Sequence, residues 1–159
     1  MNIMSAFIIS LFSIVCDQLS KYFVVKNLKP IGTTNVIKGL LDFTYLENYG
    51  AAYGSFQNKK IMLIGFTSVI IIFLLYLILS KKIKHPVAMT SIALVIGGGI
   101  GNLIDRVRIG YVVDFIDISP IFSFPIFNIA DCCVVVGAAL FIIYTLFLES
   151  KENKYGYKN

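Results

Sequence analysis

Four long apolar stretches run along the 159-residue chain, separated by more polar segments. A helix that crosses a bilayer needs about 20 mostly apolar residues, and the pattern predicts four such spans, over residues 4–25, 61–79, 87–104 and 126–148. The second span has no charged residue, whereas the first carries Asp17 and Lys21 and the fourth carries Asp131. An even number of spans places both termini on the same side of a membrane.

The loop between the first two spans follows a different pattern. Its stretch "TTNVIKGLLDFTYLENYGAAYGSF" mixes β-branched and aromatic residues with polar ones, which predicts strands at residues 36–37 and 41–46. An open sheet edge cannot face lipid, so this β unit, within residues 32–58, is expected at the outer surface. The predicted fold is an all-α membrane protein with four transmembrane helices and a small extracytoplasmic β cradle, in a single domain over residues 1–159.

Composition supports a membrane protein. Hydrophobic residues make up 57% of the chain and charged residues 14%, against about 45–50% and about 25% in soluble domains. The net charge of +5 is modest, and no basic cluster is interleaved with aromatic residues, so no nucleic-acid partner is expected. The lysines fit bilayer margins, where they are attracted to anionic lipid. No feature demands a partner subunit, so a monomer is expected.

The N-terminal stretch and the cysteines need separate interpretation. The stretch "MNIMSAFIISLFSIVC" lacks an early lysine or arginine and a small-x-small cleavage site, so it is expected to be retained as the first span. Cys16, Cys132 and Cys133 form an odd set without CxxC spacing. This pattern favours small residues of the membrane core over disulfides or a zinc site.

The distribution of positive charge favours one orientation in the membrane, although a count of the charges on each side does not decide it. The short link "SKKIKH" between the second and third spans is rich in lysine, and the C-terminal tail adds more. The opposite side carries its positive charge mainly in a longer loop, at Lys26, Lys29, Lys38, Lys59 and Lys60, with Arg106 and Arg108 nearby. Short loops dominate the positive-inside rule, which favours cytoplasmic termini.

Several kinds of catalytic site are excluded by the residues available. His85 is the only histidine, so neither an HExxH zinc pair nor a Ser-His-Asp triad near the aspartates can be built. A serine–lysine dyad of Ser20 and Lys21 is disfavoured, because the two are adjacent on a predicted helix and adjacent helical residues do not face each other. The stretch "GGGIG" lies inside a span and indicates close helix packing.

The aspartates remain as the candidate chemistry. Asp114 lies in "YVVDFID", predicted as a loop or broken helix, and Asp131 lies inside span four, about two turns after Pro125. Two carboxyls held together cannot both ionise, so one keeps a proton near neutral pH. The ionised carboxyl can activate a water while the protonated one polarises a carbonyl. This is the chemistry of aspartic proteases, and it requires no metal, cofactor or covalent intermediate.

Other polar residues fall at helical spacings. Asn128 is three residues before Asp131 and can orient it, and Asn102 is likewise three before Asp105. Asp17 and Lys21 are four apart, which predicts an ion pair between them.

Three further points concern acidic and basic residues. Asp105 and Arg106 have two possible roles, which the sequence leaves open: they form a structural network at the end of span three, or they contact the substrate. Asp117 is expected to be solvated, and Asp42 and Glu47 are expected to lie on the exposed face of the β unit.

Five motifs together resemble one family. They are "CDQLSKYF", "ENYGAAYG", "GGGIGNLIDR", "VVDFID" and "FPIFNIAD". In this order and spacing, over nearly the whole chain, they are similar to lipoprotein signal peptidase, the bacterial signal peptidase II family. One departure is Tyr53 in "GAAYG", where the family usually carries Trp or Phe.

The resemblance implies a four-helix aspartic endopeptidase of the bacterial cytoplasmic membrane, with its site at the extracytoplasmic face and its termini in the cytoplasm. Its substrates would be diacylglyceryl-modified prolipoproteins, cleaved just before the lipidated cysteine. It implies a catalytic dyad of Asp114 and Asp131. The implied supporting residues are Asp17, Lys21, Asn48, Gly50, Asn102, Asp105, Arg106 and Asn128.

Two other classes of function remain as alternatives. A small proton-coupled transporter or channel subunit could use Asp17, Asp105 and Asp131 as a relay, although the chain has no internal repeat of the usual transporter kind. A non-catalytic scaffold would use its polar residues only to hold helices together.

Overall fold

The computed structural model describes residues 2–51 and 55–148. Within them the chain forms four long helices and three strands. Helix α1 spans Ile3–Phe23 and continues as a π-helical turn over Val24–Leu28. Strands β1 (Thr33–Ile37) and β2 (Leu41–Asn48) follow, then α2 (Lys60–Leu79) and α3 (Pro86–Arg108). Strand β3 (Val112–Asp117) and α4 (Ile129–Ile143), with a final π-helical turn over Tyr144–Leu148, complete the chain.

The four helices are long and apolar enough to cross a membrane, as the sequence pattern predicts. Their starts have local causes. Asn2 caps α1 by accepting the Ser5 N–H, and Pro86 occupies the first turn of α3, where its missing N–H costs nothing. Many large side chains on the helix surfaces stay exposed, among them Phe12, Phe66 and Phe147. In a membrane these side chains face lipid.

Helix α3 lies at the centre of the bundle and packs against the other three helices. Its glycines allow this. A Cβ on Gly98 would collide with the carbonyl oxygen of Ala130 in α4, and one on Gly97 would lie 2.7 Å from the Ser13 Cβ in α1. The interpretation of "GGGIG" as a close-packing motif is therefore confirmed.

The sheet sits at the end of the bundle where α1 and α3 end and α2 and α4 begin. Its strands are antiparallel in the order β1-β2-β3. Strands β1 and β2 contain the two predicted strands. The third strand corrects two predictions, because the cradle extends beyond residues 32–58 and Asp114 lies on a strand. The reason is tertiary: Leu46 pairs with Asp114 and Asn48 with Val112, so β2 supplies the partner that fixes this segment as extended.

Candidate active site

Asp114 and Asp131 come together because the chain folds back after β3. Ile116 and Phe127 form an isolated antiparallel bridge, in which the Phe127 N–H donates to the Ile116 carbonyl at 3.1 Å and the Ile116 N–H donates back at 2.8 Å. This bridge brings the start of α4 beside β3. Asp131 consequently lies in the first turn of α4, which begins at Ile129, and so lies inside the fourth span as predicted, although that span starts three residues later than expected.

Asn128 joins the two carboxyls directly. Its side-chain Nδ2 donates to Asp114 Oδ1 at 2.6 Å, and its backbone N–H donates to Asp131 Oδ2 at 3.1 Å. Its Oδ1 accepts the Asp131 N–H at 2.9 Å, so Asn128 and Asp131 form a capping box at the start of α4. One buried asparagine thus fixes both candidate carboxyls and the end of the helix that carries one of them.

A second network lies beneath the pair, around the ammonium group of Lys21. Its Nζ is 2.9 Å from Asp17 Oδ2, 2.9 Å from Asp105 Oδ2 and 2.8 Å from Asn102 Oδ1. These three acceptors match the three N–H donors of a lysine. The predicted Asp17–Lys21 ion pair is present, and the structure adds Asp105 as a second carboxylate on the same lysine.

The network connects to the candidate dyad through two contacts. Asn102 accepts from Lys21 and donates its Nδ2 to Asp131 Oδ1 at 2.8 Å. Asp17 Oδ1 accepts the backbone N–H of Ala130 at 2.9 Å. Helix α4 is therefore held to α1 and α3 within its first turn, next to Asp131.

Asp105 and Arg106 take different parts. Asp105 accepts from Lys21, from Gln18 at 3.0 Å and from the backbone of Val113 at 3.2 Å, so it belongs to the structural network. Arg106 lines the cavity described below, and its Nη2 donates to the Gly50 carbonyl at 2.9 Å.

Asn48 and Gly50 form the edge contributed by the sheet. Asn48 Nδ2 donates to Asp114 Oδ2 at 2.8 Å, while its Oδ1 accepts the Gly50 N–H at 2.9 Å. Gly50 is thus held through its N–H by Asn48 and through its carbonyl by Arg106. All ten residues expected from the sequence lie in one connected cluster around the two carboxyls.

A cavity of about 740 Å³ opens onto both carboxyls. Its polar wall contains Asn48, Asn102, Arg106, Asp114 and Asp131. The remaining wall is mainly apolar, with Leu46, Ile118, Phe124, Pro125, Ile126, Phe127, Val134, Val135 and Val136. A site with both walls can hold a polar peptide group beside a large apolar substituent.

The electrostatics of Asp114 fit a carboxyl that retains a proton. Burial and the neighbouring Asp131 carboxylate raise the pKa of Asp114 to about 7, against the opposing effect of the amides of Asn48 and Asn128. A group of this kind is divided between its two protonation states near neutral pH.

Asp117 is a correction. It was expected in solvent, but it is 8% exposed and accepts from Thr44 Oγ1 at 2.9 Å and from the Ser119 N–H at 2.9 Å. Burial raises its pKa, but the hydrogen bonds outweigh that effect and leave the pKa below its usual value. Successive side chains alternate on a strand, so Asp117 and Asp114, three apart, point to opposite faces.

Glu47 also does more than occupy an exposed surface. It lines the cavity and accepts from Lys29 at 2.9 Å, from Tyr45 at 3.0 Å and from Tyr49 at 2.9 Å. Lys29 is the main reason that the pKa of Glu47 falls to about 2. Asp42, by contrast, lies half-buried on the central strand β2 and accepts from Asn35.

Sequence reasoning missed one member of the network. Gln18 Nε2 is 3.2 Å from Asp17 Oδ2 and 3.0 Å from Asp105 Oδ1, and so links α1 to α3. Its only signal was a polar residue inside an apolar span. Tyr53, the departure from the family pattern, lies outside the described residues. Across residues 2–51 and 55–148, no group of three or more His, Cys, Asp or Glu residues could hold a metal ion.

Comparison with known proteins gives consistent matches. A family model described as signal peptidase (SPase) II matches residues 9–147. The lipoprotein signal peptidase of Caldanaerobacter subterraneus subsp. tengcongensis is 46% identical over 136 residues, covering 85% of this chain and 91% of the relative. That of Clostridioides difficile is 44% identical over 136 residues, covering 86% and 90%.

Solved structures agree. A bacterial membrane enzyme structure obtained by the in meso method at 2.3 Å resolution matches with a TM-score of 0.82 and 34% identity, over 98% of this chain and 93% of that chain. A second, at 1.9 Å resolution, has a TM-score of 0.81 and 37% identity, over 91% and 94%.

Proposed function

This chain belongs to the signal peptidase II family, a family of aspartic peptidases that remove signal peptides from prolipoproteins, and on that premise we propose that Asp114 and Asp131 are its catalytic dyad. The observation that carries the proposal is Asn128, which holds both carboxyls at one cavity through contacts of 2.6 Å and 3.1 Å. Family membership also disfavours the transporter alternative.

The surroundings of the two carboxyls favour one of them as the carrier of the shared proton. Asp131 lies in the first turn of α4, where the helix dipole favours a negative charge. It also accepts from Asn102, whose own oxygen accepts from the Lys21 ammonium. Among the described residues, the side-chain partners of Asp114 are the neutral amides of Asn48 and Asn128 alone. Asp114 is therefore the protonated acid and Asp131 the ionised base.

The reaction follows from this assignment. Asp131 takes a proton from water, whose oxygen attacks the scissile carbonyl carbon while the carbonyl oxygen takes the proton of Asp114. In the second step Asp131 gives its proton to the amide nitrogen, the C–N bond breaks, and a hydroxyl of the intermediate returns a proton to Asp114. The two carboxyls end in their starting states, and titrate as a pair.

The other residues position this machinery. Asn128, Asn102 and Asn48 orient the carboxyls, and Asp17, Lys21 and Asp105 hold α1, α3 and α4 together beneath them. The Gly50 carbonyl holds Arg106 in the cavity wall, where Arg106 also offers donors to a substrate carbonyl. All belong to a single integral membrane peptidase domain over residues 1–159.

The substrate we propose is a prolipoprotein whose cysteine already carries diacylglycerol, cleaved just before that cysteine. The apolar wall of the cavity suits the acyl chains of the substrate or the small apolar residues next to its lipidated cysteine. The enzyme acts as a monomer in the bacterial cytoplasmic membrane. Its termini are cytoplasmic and its sheet is extracytoplasmic, in agreement with the lysine-rich link of residues 80–85.

The test is cleavage of a diacylglyceryl-modified peptide and its unmodified twin by purified protein, with a metal chelator present. Asp114→Asn and Asp131→Asn should each reduce cleavage by at least about 100-fold, the scale of acid–base catalysis. Asp117→Asn is the matched control, because it changes an aspartate of the same strand that faces away from the cavity. Cleavage by either dyad variant at the parent rate would refute the assignment.

A further inference from the structure

A second cavity lies at the end of the bundle opposite the sheet. It measures about 480 Å³ and is formed where the N-terminus of α1, the end of α2 and the start of α3 meet. Met89 lines it, and Asp105 of the catalytic network lies 16 residues further along α3. At about 1.5 Å of rise per residue the two are about 24 Å apart. The second cavity is therefore separate from the peptidase site.

The rim of this cavity is positively charged. Lys81 and Lys84 line it with exposed side chains, and neither forms an ion pair with another described residue. Each described carboxylate lies elsewhere, in the second half of α1, in the sheet, at the end of α3 or at the start of α4. The positive charge at this end of the described structure is thus not balanced by nearby acidic groups, and it complements an anion.

The floor of the cavity is apolar. Ile78 and Met89 are each 3% exposed and belong to the core cluster between the helices, against which Ile3 and Ile83 also pack. At the same level Met4 exposes 68% of its surface, and in a membrane it would face lipid. A basic rim over an apolar floor fits an amphiphile better than it fits a free anion.

We propose that this cavity binds an anionic phospholipid. The phosphate lies between Lys81 and Lys84, and the glycerol and first acyl carbons lie against Ile78 and Met89. Basic pockets between helix ends at a membrane surface are suited to such headgroups, and a volume of about 480 Å³ is in the range of pockets that hold small ligands.

Lys82 provides a matched control. It belongs to the same link and carries the same charge, but its Nζ lies 5.2 Å from the centre of the Tyr76 ring and the residue does not line the cavity. Diffuse attraction of anionic lipid to the link would depend on all three lysines equally. Binding at a specific site would depend on Lys81 and Lys84 but not on Lys82.

The experiment titrates detergent-purified full-length protein with phosphatidylglycerol or phosphatidylcholine and counts bound lipid by native mass spectrometry. We expect phosphatidylglycerol to bind more tightly, and Lys81→Gln and Lys84→Gln each to weaken it about five-fold, from about 1 kcal/mol per lysine near a membrane surface. Lys82→Gln should leave binding within two-fold of the parent, and Lys84→Arg should retain it. The unfolding temperature in detergent alone shows that each variant folds.

Three outcomes would overturn the proposal. Equal weakening by Lys82→Gln and Lys84→Gln would indicate diffuse attraction, and equal binding of both lipids would remove the role of charge. Equal binding of glycerol 3-phosphate would show that the acyl chains contribute nothing and that the ligand is a free phosphate.

Discussion

Individual side chains set the pH range in which the dyad works. In the proposed mechanism Asp114 must be protonated, and burial together with the Asp131 carboxylate raises its pKa to about 7. Cleavage is therefore expected to fall as the pH rises above about 7, because the acid is lost. The amide of Asn48 opposes this shift by stabilising the ionised form.

Removal of the Asn48 donor should consequently move the alkaline limb of the pH–rate profile to higher pH. In Asn48→Ala we expect the upper apparent pKa of kcat/KM to rise by about one unit, since a hydrogen bond to a charged group contributes about 1.5–3 kcal/mol and one unit equals about 1.4 kcal/mol. The rate should also fall, because Gly50 loses its contact. Asn35→Ala, an asparagine of the same sheet that binds Asp42 instead, should leave the profile in place. A profile that moves to lower pH in Asn48→Ala would contradict this account.

Lys21 supplies the positive charge that neutralises the buried carboxylates of Asp17 and Asp105. Asp17 is fully buried and Lys21 is 3% exposed, and loss of one partner of a buried pair costs about 3–5 kcal/mol. Lys21→Met leaves both Asp17 and Asp105 without their cation, whereas Asp17→Asn leaves Lys21 with Asp105. Lys21→Met should therefore be the least stable variant in thermal unfolding in detergent, and Asp17→Asn the mildest.

The double variant distinguishes a network from a simple pair. In an isolated Asp17–Lys21 pair, loss of both partners would be milder than loss of one. With Asp105 as a third member, Asp17→Asn combined with Lys21→Met should fall between the two single variants. A double variant more stable than Asp17→Asn would show that Asp105 does not depend on Lys21.

At the scale of elements, α3 brings the other helices close enough for the network to form. A Cβ on Gly101 would lie 2.6 Å from Asp17 Oδ2 and 3.3 Å from the Ala130 Cβ. Because Asp17 holds the first turn of α4 through Ala130, displacement of Asp17 moves Asp131 as well. In the proposed mechanism, the close approach of α3 therefore affects catalysis as well as packing.

Gly101→Ala tests this link. Overpacking typically costs about 1–3 kcal/mol, so we expect a lower unfolding temperature together with reduced kcat. Gly99→Ala is the control on the same helix, where the new methyl would meet the Ile71 side chain at an ordinary 3.4 Å. If the two variants have similar unfolding temperatures and similar kcat, the close approach of α3 does not control the geometry of the dyad.

The elements also show what the sequence could and could not predict. Helices were predictable because contact with lipid requires long apolar runs, and the four observed spans differ from the predicted ones by a few residues at their ends. The third strand was not, because "VVDFID" becomes a strand through pairing with β2, about 70 residues earlier. Partners such as Gln18 and Asp105 depend on how helices are rotated against each other, which local periodicity does not give.

At the scale of the whole molecule, the charged and polar groups are divided between two ends. Within the described residues, the end with the sheet holds the carboxylates, the site amides and the larger cavity, and the opposite end holds the lysine-rich link and the smaller cavity. Between them the helices expose apolar side chains such as Phe12 and Phe66. Under the proposed function, a lipid-anchored peptide enters the larger cavity sideways from the bilayer, and water reaches the proposed dyad from the sheet end.

Orientation in the membrane can be tested with single cysteines. In a background with Cys16, Cys132 and Cys133 replaced by alanine, Lys38→Cys places an exposed thiol in the β1–β2 hairpin, and Lys82→Cys places one in the opposite link. The short link with three lysines is expected on the cytoplasmic side. A membrane-impermeant maleimide should therefore label Lys38→Cys in intact cells and Lys82→Cys only after permeabilisation. Both should react in detergent, and the reverse pattern in cells would place the dyad in the cytoplasm, where no exported substrate could reach it.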